Sequence, residues 1–197
     1  MTIPEFKQQF RRGLEPLGTF LVRAGITANQ VTAAGVVLSL ASGVALYFGR
    51  FQLGLLFLAL GGCCDFIDGA VARAGNTVSR FGAFLDSTLD RYSETFLYVG
   101  LMGCFMRCGE IVAAMAAAVA LAGSLLVSYT RARAEGLGYE CSEGVAQRPE
   151  RLVLLGIGLL LGVAVLRWTV GIIAIASHLT VVQRMILVGR HARSDER

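Results

Sequence analysis

Apolar residues in this chain fall into long runs separated by short polar breaks. The first runs from about Gln30 to Phe48, close to the roughly 20 residues a helix needs to cross a bilayer. A second runs from Phe51 to about Val71, and its last third carries Asp65 and Asp68. A third runs from about Phe81 to Met106, with Asp86, Asp90, Arg91 and Glu94 near its start. A fourth covers about Ile111 to Tyr129. The polar connection RARAEGLGYECSEGVAQRPER follows. The fifth and sixth runs, Leu152 to Leu166 and Trp168 to Val188, divide near Arg167. Before the first run, Phe6, Phe10, Leu14 and Leu17 recur at helical spacing, with Lys7, Arg11 and Arg12 between them. That pattern predicts an amphipathic helix on a membrane surface, bent or interrupted at Pro16. No cleavable leader is expected from the first stretch. The predicted fold is an all-α integral membrane protein with six transmembrane helices and an N-terminal amphipathic interfacial helix. Residues 1–28 form the juxtamembrane helix, 29–189 the six-helix domain, and 190–197 a polar, frayed tail.

Composition agrees with this pattern. Hydrophobic residues make up 55% of the chain and charged residues 16%, with a mean hydropathy of +0.63. These values are those of an embedded chain rather than a soluble domain. The net charge is +4, and Lys7 is the only lysine. No basic run is interleaved with aromatics, which argues against a nucleic-acid partner. Anionic lipid headgroups and phosphate substrates are the better partners. Arg11, Arg12, Arg23, Arg73, Arg80, Arg131, Arg133, Arg148, Arg151, Arg190 and Arg193 fall on one side of the spans, and Arg50, Arg107 and Arg167 on the other. The positive-inside rule puts the rich side, with both termini, in the cytoplasm, with the plasma membrane as the location. Five cysteines without framework spacing predict packing roles, as do His178 and His191, which have no spaced partner. Gly158 and Gly162 form a small-xxx-small pair suited to helix packing.

The chemistry is concentrated between Asp65 and Asp90. Asp65 and Asp68 are three apart and share a helix face, and Asp86 and Asp90, four apart, do the same on the next helix. The short polar turn AGNTVSR predicts that these helices are antiparallel neighbours, with the two carboxylate pairs facing each other. Four carboxylates at such range cannot all stay ionised without compensation, and two divalent cations would neutralise them. Oxygen-only ligands favour magnesium, or manganese, over zinc. Two such ions are a usual clamp for displacement at phosphorus. Gly69 and Gly82 leave room beside the aspartates, and Arg73 can hold a phosphate bidentately.

The pattern Asp65-x-x-Asp68-Gly69-x-x-Ala72-Arg73, then eight residues, then Gly82-x-x-x-Asp86-x-x-x-Asp90 resembles the signature of the CDP-alcohol phosphotransferases at every fixed position. The resemblance implies a dimeric six-span enzyme whose active site faces the cytoplasm. It implies that Asp65, Asp68 and Asp86 bind metal and that Asp90 binds metal and serves as general base. Asn29, Gln30, Val31 and Thr32 stand where the family has its nucleotide-contacting motif, with Ala28 in place of the usual proline. Gly69, Ala72, Arg73, Ser79 and Gly82, with Asp65, Asp68 and Asp86, match positions that contact the CDP-lipid. SYTRARAE at 128–135 and QRPERL at 147–152 resemble the phosphatidylinositol phosphate synthase branch and its archaeal archaetidylinositol phosphate relatives. That branch commonly has lysine at the position of Arg131 and glutamate at that of Gln147.

The implied reaction transfers a phosphatidyl or archaetidyl group from a CDP-linked lipid to inositol phosphate and releases CMP. An acceptor that itself carries a phosphate needs cations near the metals, and Arg131, Arg151 and Arg184 are the candidates. Arg133 and Arg148 are expected to serve as loop or headgroup contacts. The alternatives are another acceptor, such as glycerol phosphate or serine, and more remotely a cation channel or transporter, or an inactive scaffold.

Overall fold

The computed structural model describes residues 3–141 and 143–195, and it describes the side chains of residues 3–12 and 194–195 at no point. The apolar and basic positions Phe6, Lys7, Phe10, Arg11 and Arg12 of the expected amphipathic face therefore lie outside the described side chains. Among the described residues there are seven helices and no strand: α1 (Ile3–Arg23), α2 (Ala28–Tyr47), α3 (Phe51–Ala74), α4 (Arg80–Arg107), α5 (Ile111–Glu135), α6 (Arg148–Leu161) and α7 (Val163–Asp195). Four of them, α2, α3, α5 and α7, are long and apolar enough to cross a membrane. α4 is longer than α2 but carries the charges of Asp86, Asp90, Arg91 and Glu94, and α6 has only 14 residues.

Local chemistry sets the helix ends. Thr27 and Gln30 form a capping box at the start of α2: Thr27 N–H donates to Gln30 Oε1 at 2.9 Å, and Gln30 N–H to Thr27 Oγ1 at 3.4 Å. Ser79 caps α4 by accepting from Gly82 N–H at 3.0 Å. At the opposite end of the bundle, the three helix-to-helix turns pass through Gly49, Gly109 and Gly162, with φ of 74°, 75° and 99°. Such positive values favour glycine.

Gly162 corrects the predicted division of the last two spans. The chain breaks there rather than near Arg167, because the left-handed turn ends α6 and lets α7 start at Val163. Gly158 does pack closely, but within the chain: a Cβ there would meet Leu166 and the Thr169 hydroxyl. Helix α1 runs through Pro16 without interruption, since a proline removes only one ladder bond. Helix α5 continues into the segment read as polar connection, where Arg131 and Glu135 pair along one face at 2.8 Å.

The core is a layer of Leu46, Leu97, Leu101, Phe105, Leu155, Leu159, Leu166, Val170 and Ile173, all essentially buried. Small residues set the closest approaches. Helix α2 crosses α4 at Gly43 and Gly100, where a Cβ on Gly100 would run into the backbone of Gly43. Helix α5 meets α7 where Gly123 faces Ser177 and His178. His178 Nδ1 is hydrogen-bonded to the Ala174 carbonyl at 2.9 Å, a packing role as expected. Exposed apolar side chains such as Val44, Leu56, Met115 and Ile175 cover the outer faces of α2, α3, α5 and α7. A hydrocarbon solvent suits such a surface.

Helix α2 packs against both α3 and α4, whereas α3 and α4 make no extensive contact with each other. This corrects the expectation of two neighbouring helices. Four like charges disfavour close packing, and the space left between α3 and α4 is where the polar end of α6 reaches α3.

Candidate active site

The aspartates lie on the facing sides of this space. Asp65 and Asp68 come from the last turns of α3, and Asp86 and Asp90 from the first turns of α4. Asp68 is buried and accepts from the Thr32 hydroxyl at 2.7 Å. Thr32 is thereby a support for a carboxylate, held by the start of α2. Asp65 and Asp90 are joined through a residue expected to be a loop contact. Arg148 Nη2 lies 2.9 Å from Asp65 Oδ2, and Arg148 Nη1 lies 2.8 Å from Asp90 Oδ2. Among the described residues, no three Asp, Glu, His or Cys side chains converge on one ion-binding point. The donor set is nonetheless all oxygen and strongly acidic, and a guanidinium already stands between two of its members. The residues present therefore fit a hard cation: the cluster demands positive charge and receives it here from Arg148.

Two cavities open on this cluster. The first, of about 550 Å³, is lined by the start of α2, the end of α3, the turn through Val78 and the start of α4. It contains Asn29, Thr32, Asp68, Gly69, Ala72, Arg73, Ser79, Gly82 and Asp86, nine of the residues expected to meet a CDP-lipid. Gln30, Val31 and Asp65 do not line it. Gln30 is spent on the α2 cap, and Asp65 faces Arg148. Thr27, Thr77 and Val78 line it without having been singled out from the sequence.

The second cavity, of about 760 Å³, lies on the other side of α4 and is walled by α4, α5, α6 and α7. It brings together Asp90, Arg131, Arg148, Arg151 and Arg184 from four elements. Three of these arginines have partners away from the aspartates. Arg151 is 1% exposed; it donates from Nε and Nη2 to Glu94 at 2.7–3.0 Å and from Nη1 to the Ala146 carbonyl at 2.8 Å. Arg184 donates from Nε to the Glu143 carbonyl at 2.8 Å and from Nη1 to the Val127 carbonyl. Arg131 is half-exposed and paired with Glu135. The segment between α5 and α6 is tied down as well, by Ala146 N–H donating to Thr180 Oγ1 at 3.0 Å.

Two important residues, Glu94 and Arg148, escaped sequence reasoning. A signal for each existed. Glu94 is the one acid of the third apolar run outside the motif, and it continues the four-residue spacing of Asp86 and Asp90. Arg148 precedes Arg151 by three positions and so shares its helix face.

Comparison with known proteins follows this geometry. A sequence model described as CDP-alcohol phosphatidyltransferase matches residues 25–188. An archaetidylinositol phosphate synthase of Methanothermobacter thermautotrophicus is 35% identical over 188 residues, covering 93% of this chain and 92% of its own. The crystal structure of Mycobacterium tuberculosis phosphatidylinositol phosphate synthase with CDP-DAG bound superposes with a TM-score of 0.85 at 31% identity, covering 90% of this chain and 94% of that one. The structure of the same mycobacterial enzyme in complex with manganese and citrate gives a TM-score of 0.81, covering 89% and 88%.

Proposed function

This chain belongs to the CDP-alcohol phosphatidyltransferase family, and from that premise we propose that it transfers a phosphatidyl, or archaetidyl, group from a CDP-linked lipid to inositol phosphate, releasing CMP. The observation that carries this reading is the pair of cavities meeting at the aspartates. One has the motif residues around Asp68 and Asp86, and the other has Asp90 beside five arginines. A donor on one side and an anionic acceptor on the other would meet across the carboxylates.

In this reading the CDP-lipid lies in the first cavity. Arg73 holds its phosphates, and Asn29, Thr32, Gly69, Ala72, Ser79 and Gly82 shape the wall. Gln30 and Val31 act through the start of α2. Asp65, Asp68, Asp86 and Asp90 hold magnesium, or manganese, two ions per site. The ions supply neutralisation of the pyrophosphate charge when bound. The acceptor's phosphate lies against Arg131 and Arg184, with Arg151 as the fixed base of the cavity. Asp90 accepts the proton of the acceptor hydroxyl. The freed oxygen attacks the phosphorus nearer the lipid, and the bond from that phosphorus to the oxygen of CMP breaks. Positioning and electrostatics supply most of the acceleration.

The apolar exterior of α2, α3, α5 and α7 supports a multi-pass membrane protein. We extend this to six spans, α2–α7, making up the catalytic domain 29–189, with α1 on the interface and 190–197 as a polar tail. The excess of arginine at the aspartate end supports a cytoplasmic active site and cytoplasmic termini in the plasma membrane. A homodimer is proposed from the family resemblance alone.

The test is CMP release by protein purified in detergent, with magnesium, CDP-diacylglycerol and, separately, a CDP-linked diether lipid. The acceptors are inositol phosphate, inositol, glycerol phosphate and serine. Release with inositol phosphate alone supports the reading. Release with glycerol phosphate or serine instead keeps the reaction and replaces the acceptor. No release with any acceptor overturns it.

A further inference from the structure

Arg148 stands apart from the other arginines of the second cavity. Its only charged partners among the described residues are Asp65 and Asp90, two of the residues read above as metal ligands. The guanidinium spans two helices and occupies the space between their carboxylates. Its Nε is buried and has no hydrogen-bond partner among the described residues, so its donor capacity is only partly used. The pairs remain accessible: the side chains of Arg148, Asp65 and Asp90 are 24%, 27% and 23% exposed, against 1% for both members of the Arg151–Glu94 pair. An ion could therefore reach the first arrangement but not the second. Arg148 is also the first residue of α6, with Pro149 next to it, so its long side chain starts from the helix end rather than from a packed turn. From there it lines the same cavity as Arg131 and Arg184.

We propose that Arg148 is the resident counter-ion of the aspartate cluster, displaced when a divalent cation binds, and that the displaced guanidinium then contacts the phosphate of the acceptor. The proposal rests on the reading of the aspartates as metal ligands. It follows that metal and acceptor bind cooperatively. Metal takes the carboxylates from Arg148 and frees it for the phosphate, and phosphate draws Arg148 away and frees the carboxylates. The coupling is reciprocal, because both ligands bias one two-position side chain. Arg148 is thus a positioning residue for the cations and a specificity determinant for an anionic acceptor.

The experiment titrates Mn²⁺ into metal-free protein in detergent and reads free Mn²⁺ by electron paramagnetic resonance. Wild type, Arg148→Gln and Arg131→Gln are compared. Arg131→Gln removes a cation of the same cavity that touches no aspartate. Loss of the competing guanidinium is expected to tighten Mn²⁺ binding about fivefold or more in Arg148→Gln, with a clearly smaller change in Arg131→Gln. Arg148→Gln is also expected to raise KM for inositol phosphate while leaving that for the CDP-lipid in place. Should Arg148→Gln fail to fold, Arg148→Lys, which cannot span both carboxylates with one planar group, is expected to shift Mn²⁺ binding in the same direction by less. Mn²⁺ affinity that is unchanged or weaker in the Arg148 variants, or equal tightening in Arg131→Gln, overturns the proposal while leaving the aspartate site standing. Absence of Mn²⁺ binding by wild type overturns the aspartate reading and this proposal with it. Tighter Mn²⁺ binding with an unaltered KM for inositol phosphate overturns the contact with the acceptor.

Discussion

The two cavities beside the aspartates are built in opposite ways. The first is assembled from two short intervals of sequence, 27–32 and 68–86, and its polar side chains surround an open volume. The second draws on four helices far apart in the chain, and its cations already have partners: Glu94 for Arg151, backbone carbonyls for Arg184 and Arg91, Glu135 for Arg131, and Asp65 and Asp90 for Arg148. A ligand entering the first cavity fills space. A ligand entering the second must exchange contacts, so selectivity there depends on what those contacts cost to give up.

The sharpest way to break this comparison is at the residue through which the second cavity touches the cluster. Asp90→Asn removes the proton acceptor and is expected to lower the rate of CMP release by about 10²–10⁴-fold, measured in folded protein at saturating substrates. An unaffected rate would remove Asp90 from the chemistry. Next in size is Glu94→Ala, which leaves Arg151 buried and unpaired and is expected to cost about 3–5 kcal/mol of stability. A thermal melt in detergent would show it. If Glu94→Ala melts like wild type, the cations of the second cavity are not held as described.

Arg184→Ala is expected to raise KM for inositol phosphate by about 10–100-fold, the loss of one charge-assisted contact, with KM for the CDP-lipid unchanged. An equal effect on both substrates would merge the two cavities into one. The smallest effect is expected on the first side. Thr32→Val removes the hydroxyl that bonds Asp68 and the Ala28 carbonyl; the bond to Asp68 is worth about 0.5–1.5 kcal/mol, and its loss should raise the magnesium concentration for half-maximal activity by about two- to tenfold.

The same contrast explains what was legible in the sequence. The first cavity could be read because its carboxylates, glycines and arginine sit at fixed short spacings on two helix ends. Helices α2, α3, α5 and α7 were readable from their apolar runs. The turn at Gly162 was not, because a glycine inside an apolar run looks the same whether it packs or breaks the helix, and only its φ distinguishes the two. The separation of α3 and α4 was hidden for a related reason: a short connection fixes sequence proximity but not which helix fills the space beside it. Spacing marks Glu94 and Arg148 as members of a helix face, but their partners, 57 positions away or more, leave no periodic trace. Arg151 does line the second cavity, yet its burial against Glu94 follows from packing that no spacing encodes.

The layer of Leu46, Leu97, Leu101 and Phe105 lies on the side of the aspartates away from the cavities, and beyond it Arg107 stacks over the rings of Tyr47 and Phe48 at 5.0 and 5.6 Å. The acidic cluster is therefore a cul-de-sac. Cations can be drawn in from one face, and packed apolar side chains back the other.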